Sequence, residues 1–245
     1  MNILFYEKVE STNIIAKELA ESGAEHGTTV IANEQTAGRG RHGRSFYSAP
    51  GHGIYMSLVL EPAKLGFEAP AFVTVYSAVA VCEAIEVLCG KELKIKWVND
   101  LFLGGKKICG ILAESVTDKI ILGIGINFTL PELPEELRPI VGAIFSQPLE
   151  KPPISRNCLA VDVIGRVLNP SYGRAEIIQK YKQRLFILGQ KIRVEGAIQP
   201  YEAIALDVDE EGQLLVRNNV GEIITLSAGE ISVRPSFHNK PASAE

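Results

Sequence analysis

Residues 94–127 read KIKWVNDLFLGGKKICGILAESVTDKIILGIGIN. Lys94 to Trp97 has strand character, Val98-Asn99-Asp100 closes it, and Gly104-Gly105 makes a tight turn. A second strand is expected over 106–114, and a third over 120–126 that ends at Asn127. Three short strands in succession, joined by turns, dictate a mostly antiparallel sheet. With helices from the flanking sequence, the expected class is α+β, a mixed, mostly antiparallel sheet with packed helices.

Upstream, residues 53–60 alternate Ile54, Met56, Leu58 and Leu60 against Tyr55, Ser57 and Val59, so one face of a strand is expected in the core. A β-branched strand over 28–32 delivers Gln35. Between these two strands lies TAGRGRHGR, residues 36–44, with three arginines and three glycines. Its composition offers core packing nothing. It is either a solvated basic turn or an anion cradle, because glycine lets backbone approach a ligand and arginine brings permanent charge in a rigid fork. Hung between two strands, it is expected to be mobile when empty and ordered by a ligand.

Residues 2–6 form a short strand, and 11–22 a helix with Ser11 as N-cap, Ile15 and Leu19 four apart, and Gly23 as the stop. Ser11, Thr12 and Asn13 thus serve as plain capping residues or, since a helix N-terminus has free N–H groups, as ligand contacts. Residues 69–88 are apolar nearly all round and read as a buried helix, too interrupted by Glu83 and Glu86 to span a bilayer.

Downstream, prolines and glutamates make 131–153 a loop-rich stretch, followed by helices over 155–168 and 174–188. From 191 to 233 only short β runs remain, separated by Gly196, DEEGQ and NNVGE, which fits a small β-barrel. The expected division is a main domain over 1–188, a small β domain over 189–235 and a disordered tail over 236–245.

Of 245 residues, 46% are hydrophobic and 22% charged, and the net charge is −4. The basic loop is therefore local on an acidic body, which argues against nucleic acid and for a small anionic ligand. Cys82, Cys89, Cys109 and Cys158 form no CxxC pair and have no histidine at metal-ligand spacing, so no dedicated metal site is expected and the compartment is reducing. No basic segment followed by an apolar one opens the chain. A cytoplasmic protein with no membrane partner is expected.

In chain order, Ser11-Thr12-Asn13, Gln35, GRGRHGR at 38–44, Ser57 at the end of GHGIYMS, KWVND at 96–100, KKICGIL at 106–112 and GIGIN at 123–127 resemble the biotin protein ligases. The resemblance runs from about residue 5 to about residue 235. It implies a class II synthetase-like catalytic domain and a C-terminal SH3-like barrel. It also implies an enzyme that joins the biotin carboxylate to AMP from ATP with Mg²⁺, then passes biotin to one lysine of the biotin carboxyl carrier protein of acetyl-CoA carboxylase. By the same resemblance Ser11, Thr12, Asn13, Gln35, Gly38, Arg39, Gly40, Arg41, Lys107 and Gly110 bind biotin. Arg41, Arg44, Lys96, Asn99, Lys107 and Asn127 bind ATP, and Arg39, Arg41, Lys107 and Asp100 serve catalysis.

The chemistry suits those residue types. A carboxylate attacking an α-phosphate brings two anions together, so cations must screen them and hold the line of attack. Lys107 supplies a fixed charge, and Asp100 orients or deprotonates the acceptor amine. From the residues alone, Lys107 is also an ordinary hairpin residue, Asp100 an ordinary turn former and Trp97 core.

Departures from the family pattern are Val98 for the usual Pro, Phe46 for the usual Trp, and Ala49-Pro50; they are expected to loosen the turn and the loop. With the first strand starting at Ile3, a ligase without the DNA-binding repressor domain of some members is expected. Cys109 beside Lys107 keeps open a lipoate ligase or octanoyl transferase, and the barrel keeps open a non-catalytic binding module. A homodimer through a sheet edge is also open, as in some members.

Overall fold

In the computed structural model, which describes residues 2–67, 69–145, 152–196, 199–227 and 232–235, strands β1 (Ile3–Val9) and β2 (Thr29–Gln35) run parallel. Parallel neighbours need a crossover, and α1 (Thr12–Glu21) supplies it. Next come β3 (Gly53–Leu60), α2 (Pro62–Leu65), α3 (Pro70–Cys89), β4 (Lys94–Lys96), β5 (Asp100–Leu103), β6 (Lys106–Val116) and β7 (Lys119–Asn127). The sheet order is β1-β2-β3-β7-β6-β5-β4, and every pairing beyond the first is antiparallel.

All eight residues of β3 are buried, where only one covered face was expected. At β3 the sheet is covered on both sides. Ile54, Met56, Leu58 and Leu60 enter the large core with α3, while Val59 joins Ala16, Ala20, Val30 and Ile121 beneath α1. Ser57, on the α1 side, is fully buried and turns its hydroxyl to the first turn of that helix. The helix α3 is long and apolar enough by composition to cross a membrane, but thirteen of its 20 residues are buried in the fold.

Three local expectations need correction. Asp100 does not end a strand; it opens β5, which pairs Lys96 with Asp100 and leaves Trp97, Val98 and Asn99 as the turn, with a cis Trp97–Val98 bond. Turn-forming residues hid the strand that follows them. Ser11 stands at the N-cap of α1 without a side-chain cap, whereas Ser155 does cap α4 (Arg156–Leu168), accepting from the Cys158 N–H at 3.1 Å. Finally α5 (Arg174–Arg184) stops short of 188, because Leu185 and Phe186 leave the helix to bridge Ile95 of β4.

A second sheet contains β8 (Lys191–Glu195), β9 (Tyr201–Val208), β10 (Leu214–Asn218), β11 (Ile223–Leu226) and β12 (Ser232–Pro235) in the order β11-β10-β9-β8-β12, all antiparallel. The Trp97 indole N–H donates to the Gly212 carbonyl at 2.9 Å and ties this sheet to the first. The tail over 236–245 and residues 146–151 of the proline-rich stretch lie outside the described residues.

His26 and Glu61 are hydrogen-bonded reciprocally. The Glu61 N–H donates to His26 Nδ1 and the His26 N–H to Glu61 Oε1, both at 3.0 Å. An accepting Nδ1 must be unprotonated, and burial, then Lys64, draw the His26 pKa down against Glu61. A histidine lowered in the folded state adds stability that is complete above its unfolded pKa of about 6.5 and is lost as pH falls through the folded value. Thermal melts of His26→Gln should therefore show a flatter acid limb below about pH 6.5 than the unaltered protein. Parallel acid limbs would contradict it.

Candidate active site

A cavity of about 120 Å³ opens between the first turn of α1, the 36–48 loop and strands β5 to β7. Its neutral end is a buried hydrogen-bonded chain, which is how polar side chains persist out of water. The Thr12 N–H donates to Gln35 Oε1 at 2.8 Å, and Ser57 Oγ lies 2.7 Å from Thr12 Oγ1 and 2.6 Å from Asn13 Oδ1. Gln35 Nε2 donates to Ser48 Oγ at 2.9 Å, and Ser48 to the Phe46 carbonyl at 3.0 Å. Ser11, Thr12, Asn13 and Ser57 are all buried.

The wall is built of glycine. Gly123 and Gly125 share one face of β7, and Gly110 of β6 pairs directly with Gly125. A Cβ on Gly123 would overlap Asn13 Oδ1, and one on Gly125 would come 2.6 Å from the Phe46 ring. Close approach, not a turn, is the reason for these glycines. Phe46 packs against this wall. Its ring seats on the Gly110–Gly125 pair, edge-on to Tyr55 at 6.4 Å and 5.9 Å from the Lys107 ammonium.

The charged end converges on one carboxylate. Lys107 Nζ lies 2.6 Å from Asp100 Oδ1, both partly exposed. Asn99 is locked onto β6: its Nδ2 donates to the Ile111 carbonyl at 2.8 Å, and the Ile111 N–H donates back to the Asn99 carbonyl at 3.0 Å. Arg41 Nη1 donates to Asn99 Oδ1 at 3.4 Å. Burial draws the Arg41 pKa down, Asp100 and Tyr181 oppose that pull, and Arg44 adds to it. The guanidinium stays charged nonetheless. Between the arginines, His42 adopts the left-handed region at φ 55° and ψ 38°.

Of the residues singled out in the sequence, Ser11, Thr12, Asn13, Gln35, Arg39, Gly40, Arg41, Arg44, Lys96, Asn99, Asp100, Lys107 and Gly110 line this cavity. Gly38 and Asn127 do not. Gly38 is required by loop packing, since a Cβ there would sit 2.5 Å from the Phe46 carbonyl. Asn127 spends its amide on the Gly142 carbonyl at 2.9 Å, tying the end of β7 to the segment after it.

Trp97, expected as core, is buried and also lines the cavity, as do Met56, His42, Phe46, Gly123 and Gly125. The alternating glycines of GIGIN were the available signal. Cys109 is fully buried, and burial pushes its thiol pKa well up. A register shift opposite Leu101 and Phe102 pairs them with Cys109 and Lys107 and skips Ile108, so Lys107 reaches the cavity while Cys109 enters the core. Among the described residues no cluster of three His, Cys, Asp or Glu is placed to hold a metal ion.

Residues 5–129 match the Biotin/lipoate A/B protein ligase family, and residues 187–234 the Biotin protein ligase C terminal domain. The Bifunctional ligase/repressor BirA of Bacillus subtilis is 33% identical over 236 residues, spanning 90% of this chain and 70% of that protein. The Biotin--[acetyl-CoA-carboxylase] ligase of Mycobacterium tuberculosis is 30% identical over 228 residues, spanning 90% and 85%. The solved structure of the biotin protein ligase from Aquifex aeolicus in complex with biotin and ATP matches with a TM-score of 0.82 at 29% identity, over 96% of this chain and 99% of that one. With its glycine-walled cavity, its cationic loop and these matches over both of its sheets, the chain belongs to the biotin protein ligase family and is a ligase.

Proposed function

We propose that this protein activates biotin as biotinyl-5′-AMP and transfers the biotinyl group to a specific lysine of the biotin carboxyl carrier protein of acetyl-CoA carboxylase. The observation that carries the reading is one cavity with a neutral hydrogen-bonding end at Thr12, Asn13 and Gln35 and a cationic end at Arg39, Arg41, Arg44, Lys96 and Lys107. A ureido ring needs the first and a carboxylate meeting a triphosphate needs the second. Mg²⁺ enters as the partner of ATP, held mainly by phosphates and water.

In this reading a biotin carboxylate oxygen attacks the α-phosphorus, the new C(O)O–P bond forms, and pyrophosphate leaves. Lys107 exchanges Asp100 for the incoming carboxylate, so its charge stabilises the oxygen that bridges carbon and phosphorus. Asp100, released from Lys107, accepts a proton from the acceptor amine as that amine attacks the carbonyl and AMP departs. Incubation with biotin, MgATP and a carrier domain should add one biotinyl group to one lysine, read by peptide mass spectrometry. A carrier that stays unmodified while biotinyl-AMP accumulates would contradict the partner assignment.

The first unit is taken as 1–188 and the second as 189–235, with the small sheet read as an SH3-like barrel that supports the ATP side or the carrier. The reaction is placed in the cytoplasm, in keeping with four free cysteines, and DNA repression is left out on the net charge of −4. Because β5 pairs with β6 only as far as Gly110, the rest of β6 is the edge on which a homodimer would form.

A cysteine-based acyl transfer is disfavoured by the burial of Cys109. Cys109→Ser is expected to keep adenylation and transfer within about twofold while costing roughly 1–2 kcal/mol in stability, as an apolar site receives a hydroxyl. Lost transfer in a folded variant would restore the transferase reading.

A further inference from the structure

Asn13 is held on three sides. It lies over Gly123, its Oδ1 faces Ser57 Oγ at 2.6 Å, and its Nδ2 donates to Glu114 Oε2 at 2.8 Å. Glu114 is exposed on β6, outside the residues that line the cavity, and pairs across the sheet with Ile121. We propose that Glu114 is a positioning residue for biotin recognition: it fixes the orientation of the Asn13 amide and through it the direction of the hydrogen-bonded chain at the neutral end of the cavity. The inference rests on the biotin-ligation reading above.

The two ends of an asparagine amide have nearly the same shape, so packing alone does not decide which end faces inward. A carboxylate decides it, because it only accepts. With Nδ2 committed to Glu114, Oδ1 must face Ser57, and the single proton of Ser57 goes to that oxygen. Thr12 Oγ1, at 2.7 Å from Ser57 and 3.1 Å from Gln35 Oε1, then receives no proton from Ser57. Its lone pairs remain available to the N–H groups of a ureido ring.

A reversed amide would donate to Ser57. Ser57 would then pass its proton to Thr12 and occupy a lone pair that faces the ligand. The far end of the chain is already fixed, since Gln35 gives Nε2 to Ser48 and presents Oε1 to Thr12. Glu114 is thus what sets the near end.

The test is steady-state and single-turnover adenylation with Glu114→Ala, Glu114→Gln, Asn13→Ala and the Glu114→Ala/Asn13→Ala pair. Glu114→Ala is expected to raise the KM for biotin about tenfold, with kcat within twofold and an unchanged melting temperature. Glu114→Gln, which keeps an accepting oxygen, is expected within about threefold of the unaltered protein. In the Asn13→Ala background the Glu114→Ala effect should vanish. A biotin KM for Glu114→Ala within twofold of normal, a fall in kcat alone, or an equal Glu114→Ala effect with and without Asn13 would overturn the inference while leaving the ligase reading intact. No biotin-dependent turnover by the unaltered protein would overturn the ligase reading, and this inference with it.

Discussion

Lys107→Ala is expected to slow biotin-dependent adenylate formation by about 10²–10³-fold in single-turnover assays, the range seen when a donor aimed at developing charge is removed. The expectation comes from the 2.6 Å pair with Asp100 and from the position of Lys107 beside Gly110 and the Phe46 ring. Removing the ammonium does two things in that space. It withdraws a cation from the meeting point of a carboxylate and a phosphate, and it leaves Asp100 as a bare negative charge facing both anions. The second effect is separable, because Lys107→Ala/Asp100→Asn should recover part of the binding of ATP and biotin without recovering the rate. Folding stability should change by less than about 1 kcal/mol, since the pair is partly open to solvent. A Lys107→Ala rate within tenfold of normal would show that the charge lies elsewhere.

Gly123→Val is expected to weaken biotin binding about a hundredfold or more and to cost roughly 1–3 kcal/mol of stability through overpacking. The added Cβ would take the space of Asn13 Oδ1, and what opposes it is a buried amide on a helix terminus, not the free end of a flexible side chain. Asn13 must shift, so its bond to Ser57 is lost and the 2.7 Å contact between Ser57 Oγ and Thr12 Oγ1 is left without its neighbour. Gly165→Ala is the matched control. Gly165 lies within α4 with nothing near its missing Cβ, so alanine there should stabilise the protein by about 0.5–1 kcal/mol and leave activity alone. Calorimetric titration with biotin and thermal melts on the two variants decide the matter. Unchanged biotin affinity in Gly123→Val would mean that the neutral end of the cavity is elsewhere.

Much of this architecture is written in short-range pattern. The β-branched and alternating runs gave β2, β3, β6 and β7 to within a few residues, and the nearly uniform apolar run gave α3. What pattern missed is set by tertiary partners. The strand β5 opens at Asp100 itself, and the turn chemistry of Asn99-Asp100 outweighs the short apolar run LFL that follows. The last turn predicted for α5 is withdrawn because Leu185 and Phe186 have a strand to join.

At the site, the charged residues were legible because an exposed GRGRHGR serves no core; Gly123 and Gly125 of GIGIN were not read as cavity wall, although glycine inside a strand needs a reason. Asn127 belongs to the same motif, yet a backbone carbonyl more than ten residues away claims it. Ser48 and Glu114 carry no signal in the linear sequence. Their roles exist only once β6 and the loop are brought beside α1.

The central claim is that one cavity brings a biotin carboxylate to the α-phosphate of ATP. It is tested most directly by exchange of labelled pyrophosphate into ATP, followed by addition of a carrier domain to the isolated enzyme-bound product. The account predicts exchange that requires biotin and Mg²⁺ together, recovery of biotinyl-AMP, and passage of the biotinyl group to the carrier without further ATP. Exchange that proceeds without biotin, or no exchange at saturating biotin and MgATP, would contradict it.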